Sequence, residues 1–145
     1  MSEDLKAKLR WGIEELFNKA NIDLLGELYA ENIVVRRPPF PDTAGLAAVR
    51  EDTANRYRAF PDWHYTIDEL IAEGNVTVAR LTGTGTHTGR STNIPISPTG
   101  KQITGGSCVV CRWADGKIVE VLEYNDYLGT LQQLGVIPPM GQGGR

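Results

Sequence analysis

Of 145 residues only two are cysteine, two histidine and two methionine, and the 15 basic side chains are outnumbered by 18 acidic ones. With a net charge of −3 and a pI near 5.4, the chain lacks the basic excess that a phosphate backbone requires, so nucleic acid is not an expected partner. No apolar run approaches the roughly 20 residues needed to cross a bilayer, and Ser2-Glu3-Asp4-Leu5-Lys6 lacks the basic-then-apolar order of a secretory leader. No membrane partner is expected, and a cytoplasmic location is. The length suits one domain, placed at 1–139, with 140–145 read as a flexible tail and disorder expected from Pro138 onward.

The two cysteines, Cys108 and Cys111, have the Cys-x-x-Cys spacing of redox and zinc sites. They fall in the β-branched run 107–113, which reads as a strand, where residues three apart face opposite ways. The only histidines are His64 and His87, so the clustered ligands of a zinc site are missing. No metal site is expected, and both cysteines are expected as buried core residues.

What the sequence does carry is amphipathic patterning. Leu5, Leu9, Ile13, Leu16 and Phe17 recur at helical spacing over 2–19, predicting a helix packed on a sheet. A second short helix is predicted over 23–29, then an extended Ile33-Val34-Val35 halted by Pro38-Pro39. A third helix over 45–59 carries Leu46, Val49 and Tyr57 and ends at Phe60-Pro61-Asp62. Strands are predicted over 63–72, 76–87, 103–113 and 118–124. Asp126 caps a last helix that carries Tyr127, Leu131 and Leu134 and closes at Gly135. Helices first and strands after give an α+β class.

Asp115-Gly116 predicts a type I′ hairpin turn. Counting back from it sets Arg112 opposite Val119, Val110 opposite Val121 and Cys108 opposite Glu123, so that Cys108, Val110, Val119, Val121 and Glu123 share one face. Neither face then alternates cleanly with polar residues, and both are expected to be covered. Helices can cover only one, which points to a two-fold homodimer covering the other. The stretch from Leu81 to Gly89, rich in Thr and Gly, lacks the Lys and following helix of a phosphate loop; it reads as a bent strand. The segment 93–100, with Pro95 and Pro98, is long enough to form a lip over a pocket.

The order of elements combines with Phe60-Pro61-Asp62, Gly85-Thr86-His87-Thr88-Gly89, Pro98-Thr99-Gly100-Lys101, Asp115-Gly116-Lys117-Ile118 and the run Leu-Gly-Thr-Leu-Gln-Gln-Leu-Gly from Leu128 to Gly135. Together these resemble the SnoaL-like polyketide cyclase family of the NTF2-like superfamily, from Leu5 to about Pro139. The resemblance implies a cone-shaped, curved antiparallel sheet with helices closing a central pocket, usually as a homodimer. It implies a small-molecule aromatic polyketide substrate, of anthracycline type, and chemistry without metal or organic cofactor: aldol-type ring closure or, in some relatives, ring hydroxylation. It also implies that an acidic residue near the end of the last strand acts as general acid and base, here Glu123, with Asp126 as rival. The cyclases carry a polar partner, typically His, on the preceding strand; 107–111 offers none, which leaves ring closure and hydroxylation both open.

For each candidate a structural role stands beside the functional one. Asp126 suits a helix cap, whereas Glu123, sharing the predicted face with Cys108, Val110 and Val121, is expected to have a raised pKa. Arg80 lies on one strand face with Val76 and Val78, either inside the cone facing an enolate or as a charge at a strand end. Arg36 and Arg37 follow Val35 where one could enter the pocket, though adjacent arginines also suit a solvated rim. His64 and His87 could shuttle protons or be structural. Trp11, Trp63 and Tyr65 would stack on a flat ligand or serve as core aromatics. Cys108 and Asn125 complete the expected substrate contacts. An epoxide hydrolase of the same superfamily would need a carboxylate two residues after an Arg, and neither Arg80-Leu81-Thr82 nor Arg112-Trp113-Ala114 supplies it. A ketosteroid isomerase-like site would need a deep Tyr and Asp. A binding module without catalysis is the remaining alternative.

Overall fold

Six strands form one curved sheet, and its inner face is roofed by helices whose apolar stripe is the one the sequence carries. The computed structural model describes residues 2–92, 94 and 96–141; Asn93 and Pro95 of the expected lip and 142–145 of the expected tail lie outside the described residues. Helix α1 (Ser2–Trp11) runs into a π-helical turn over Gly12–Phe17, and a 3₁₀ turn follows over Ile22–Glu27. The single helix predicted over 2–19 thus runs on to Phe17 but widens from α to π at Gly12, where a Cβ would lie 2.7 Å from a Leu28 methyl. Glycine lets Leu28 close on the helix there.

The strands are β1 (Tyr29–Arg36), β2 (Thr43–Ala44), β3 (His64–Glu73), β4 (Val76–Thr86), β5 (Gln102–Ala114) and β6 (Lys117–Asn125), with α2 (Leu46–Ala59) after β2 and α3 (Tyr127–Gln133) at the end. Their order is β2-β1-β6-β5-β4-β3. β3 to β6 form an antiparallel meander, but β1 lies parallel to β6, so the sheet is mixed rather than wholly antiparallel. The reason is connectivity: the chain crosses back through α2 between β1 and the meander, as a parallel pair requires.

Leu16, Leu25, Leu28, Ile33 and Ile118 are almost fully buried between roof and sheet. Each contributes about 1.5–3 kcal/mol by leaving water, whereas exposed ion pairs such as Arg80–Glu69 are screened by solvent and contribute little. The apolar contact therefore holds the roof on. Among the described residues no helix is long and apolar enough to cross a membrane.

The hairpin turn forms as expected, with positive φ at Asp115 and Gly116, but the register differs. Trp113 faces Ile118 and Arg112 faces Glu120, so Val119 bulges out and every later pair moves by one. Glu123 then stands opposite Val109, and Cys108 opposite Tyr124. A bulge inserts one residue without leaving a local sequence signal. It returns Glu123 to the inner face and sends Cys108 outward: Cys111 is buried as expected, while Cys108 is exposed and is neither a core residue nor a substrate contact.

The outer face bears an apolar row in register across four strands, Ile71, Val78, Val110 and Leu122. Ile71 is 57% exposed, as is Tyr124 at 55%. Beside the row run charged pairs, Arg80 with Glu69 and Arg112 with Glu120.

Candidate active site

The wide end of the curved sheet encloses a cavity of about 240 Å³. Its walls are largely aromatic and aliphatic, with Phe40, Phe60, Trp63, Ile94, Ile103 and Leu131 facing inward. Trp63 lies flat on β4 because a Cβ at Gly83 would sit 2.4 Å from its ring and one at Gly85 2.7 Å. The glycines of the predicted bent strand thus make room for an indole. Phe60 and Tyr65 flank it, with ring centroids 5.4 and 5.8 Å away. Ile94, from the expected lip, reaches the cavity wall.

One end of the cavity is polar. Arg37, just past β1, and Arg56, on α2, line both this cavity and a smaller chamber of about 40 Å³ deeper in the cone. Glu123 lines the deeper chamber. Its Oε2 accepts from Arg37 Nε at 2.9 Å and from Asn125 Nδ2 at 2.6 Å, with Arg56 Nη2 3.5 Å away. Arg37 also pairs through Nη1 with Asp52 of α2. Arg56 Nη1 donates to the Tyr65 hydroxyl at 2.6 Å, and Asn125 donates to Tyr127 Oη at 3.0 Å.

Burial pushes the Glu123 carboxyl up, but the Arg37 and Arg56 charges and the hydrogen bonds from Asn125 and Arg37 outweigh it. The carboxyl is held below the usual carboxylate range. This reverses the expected rise, because its neighbours are two guanidiniums rather than the apolar residues of the predicted face. Burial also raises the Tyr65 hydroxyl, against the lowering effect of Arg56.

Several expected residues stand elsewhere. Arg80 is on the outer face, its side chain 58% exposed and paired with Glu69 at 2.7 Å, so it cannot face a ligand in the cone. Arg36 points outward to Asp42 and Glu120; Ile33, Val35 and Arg37 share the inward parity. Trp11 is 37% exposed and lies off the cavity, and His64 is exposed where Tyr65 turns in. His87 is fully buried and off the cavity wall: Nδ1 accepts from the Thr99 amide at 3.2 Å and the ring packs 5.4 Å from Phe60. Asp126 lines the cavity and also caps α3, accepting from Gly129 N at 2.8 Å. Trp63, Tyr65 and Asn125 line the cavity as expected.

Sequence reasoning named Arg37 only beside Arg36 and missed Arg56 altogether. The period of two from Ile33 and Val35 selects Arg37 over Arg36, and Val49, Thr53 and Arg56 share one helical face at spacings of four and three. Ser107 is inward for the same reason as Val109 and Cys111, and it was passed over because a lone serine carries no motif. Among the described residues no three His, Cys, Asp or Glu side chains converge as metal ligands.

The fold recurs in proteins of known structure. A SnoaL-like polyketide cyclase assigned in Jannaschia sp. CCS1 has a TM-score of 0.85 at 16% identity, over 94% of this chain and 95% of that one. AclR of Streptomyces galilaeus, assigned as a hydroxylase, has a TM-score of 0.84 at 22% identity over 98% and 87%. A protein assigned as a polyketide cyclase in Acidithiobacillus ferrooxidans reaches 0.80 at 27% identity over 92% and 95%. No curated protein matches the chain in sequence. The family model for SnoaL-like polyketide cyclases spans residues 7–134, from α1 through α3. With its curved sheet, roofing helices and enclosed cavity all inside that span, the chain belongs to the SnoaL-like polyketide cyclase family, on the NTF2-like fold.

Proposed function

We propose that this chain performs cofactor-free proton-transfer chemistry on an aromatic polyketide of anthracycline type, closing a ring by an intramolecular aldol step in the cytoplasm. Family membership supports a role in polyketide tailoring. The observation that carries the finer reading is the pairing of an aromatic-walled cavity with a polar end where two arginines share one buried carboxylate. Apolar walls with a few convergent polar groups suit a flat, oxygenated ligand.

Glu123, ionised at neutral pH, would take a proton from a carbon flanked by carbonyls. As it becomes neutral, Arg37 and Arg56 lose their partner and gain the enolate oxygen, so the net charge of the site is the same before and after. Such preorganised donors need no rearrangement when charge develops. The enolate carbon then attacks a carbonyl carbon of the same molecule, and Glu123 returns its proton to the new alkoxide. Atoms balance without a co-reactant, and the product is an isomer. Arg37 and Asn125, both bonded to Glu123, line the larger cavity, while Glu123 itself lines the deeper chamber, so the reactive carbon has to reach into that chamber.

A second reading, oxygenation of the same enolate by dioxygen, is supported by the likeness to AclR, assigned as a hydroxylase; the substrate carbanion itself supplies the electrons, adding O₂ to give a hydroperoxide that loses water to a ketone or quinone. Incubating the protein with anthraquinone-type polyketide acids and esters, in air and without it, separates the readings by product mass. An isomeric or dehydrated product in both atmospheres supports the cyclase. A product formed only in air, heavier by two oxygens as the hydroperoxide or by one oxygen less two hydrogens once that hydroperoxide has lost water, supports oxygenation, and no conversion of any substrate overturns both in favour of a binding module. We further propose that the apolar row on the outer face is buried in a homodimer, because a monomer seldom exposes a contiguous row of this kind.

A further inference from the structure

Two buried polar atoms on residues of the cavity wall have no partner among the described residues: the indole N–H of Trp63 and the hydroxyl of Ser107. Ser107 is in register with Asn125 on β6, beside the amide that holds Glu123. Trp63 lowers the pKa of the Tyr65 hydroxyl, which accepts from Arg56, but the indole N–H stops short of hydrogen-bond geometry. An unpaired buried donor is destabilising. Elsewhere the fold avoids this: the buried indole of Trp113 donates to Thr77 Oγ1 at 2.9 Å. The third unpartnered atom, Nε2 of His87, belongs to a residue off the cavity wall.

We infer that Trp63 and Ser107 are substrate-reading residues, and that the substrate presents two carbonyl-type oxygens, ketone or quinone, to this side of the cavity. The inference rests on the aromatic-polyketide reading and adds where the ring system carries its acceptors. An indole nitrogen only donates, and the nearby Arg37, Arg56 and Asn125 Nδ2 are donors too. The carboxylates that also line the cavity are already engaged, Asp52 by Arg37 and Asp126 by the Gly129 amide, and the Ser107 hydroxyl can donate, so this side of the wall favours acceptors over bare hydrocarbon. A site built to hydrogen-bond a group rejects the analogue that lacks it, because the site's own polar atoms then stay unpaired.

Calorimetric titration with anthraquinone-2-sulfonate and anthracene-2-sulfonate tests this, since the two probes match in charge and ring count and differ in the two ring carbonyls. The wild-type protein is expected to bind the quinone up to about a hundredfold more tightly, about tenfold for each of the two hydrogen bonds to a buried group. Ser107→Ala and Trp63→Phe should each cut that preference by about tenfold, by weakening the quinone alone. Without ligand, Ser107→Ala should melt at the same temperature as wild type or higher, since it deletes an unpaired hydroxyl. Equal affinity for the two probes, no binding of either, parallel losses for both in Ser107→Ala, or a lower melting temperature for that variant would each overturn the assignment. Quinone preference without turnover of any polyketide would defeat only the reading of the reaction, whereas turnover without quinone preference would defeat only this one.

Discussion

Arg37 Nε stands 2.9 Å from Glu123 Oε2 while the other arm of the same guanidinium pairs with Asp52. One side chain thus ties the end of β1 to β6 and to α2, across the polar end of the cavity. Burial opposes the Arg37 charge, yet Glu123 and Asp52 hold its pKa above the ordinary value. Two ions removed from water gain little net stability from each other, but deleting one strands its partner.

Glu123→Gln should therefore be less stable than wild type by about 3–5 kcal/mol at pH 7, measured by urea unfolding. The folded-state pKa of Glu123 is lowered, so its stabilisation is complete above the unfolded glutamate value of about 4.3 and is lost as pH falls through the lower folded value. The gap between wild type and variant should shrink over that acid range. A gap of the same size at pH 7 and pH 3 would contradict the ion-pair account.

Asp126 is a cap that happens to border the cavity. Asp126→Ala should cost about 1 kcal/mol through the lost bond to Gly129 N, and Asp126→Asn much less, since asparagine caps as well. Thermal melts of the two variants check this. Equal destabilisation by Asn and Ala would show that the carboxylate charge, rather than the cap, matters there.

Gly83→Ala should drive the Trp63 ring off β4 and into the cavity, because the new methyl would lie 2.4 Å from it. Overpacking of this kind costs about 1–3 kcal/mol, and ligand binding should fall with it. Gly106→Ala, where a Cβ meets nothing within 4 Å, is the control and should melt close to wild type. A Gly83→Ala protein that binds ligand normally would mean that the indole is not held by that contact.

Val110→Lys, in the centre of the outer apolar row, should convert a dimer into a monomer in sedimentation velocity. A wild-type protein that sediments as a monomer at micromolar concentration would remove the reason for that row.

Five of the six strands, the last helix and the Asp115-Gly116 turn were legible because each rests on a local rule: period-two patterning, a capping aspartate, a dipeptide that accepts positive φ; the two-residue β2 is too short to carry a pattern. The register beyond the turn was not, since Val119 bulges without a residue type that announces it. That single slip misplaced Cys108, whereas Arg37 and Arg56 reach Glu123 from β1 and α2 and lie outside the hairpin altogether. Arg80 could not be assigned a face because nothing local says which side of β4 is inside. Arg37 could have been, from Ile33 and Val35. The contact of Arg56 with Glu123 joins α2 to β6 across much of the chain, and no single-sequence pattern encodes such a pair.

The most direct test of the central claim is exchange of the acidic carbon-bound proton of an anthraquinone-type β-keto ester in D₂O, followed by NMR. Wild type and Asp126→Asn should both exchange it well above the buffer rate, and Glu123→Gln should slow it by about 10²-fold or more, as loss of a general base does. Exchange by Glu123→Gln at the wild-type rate, or its loss in Asp126→Asn alone, would show that the proton moves through another group.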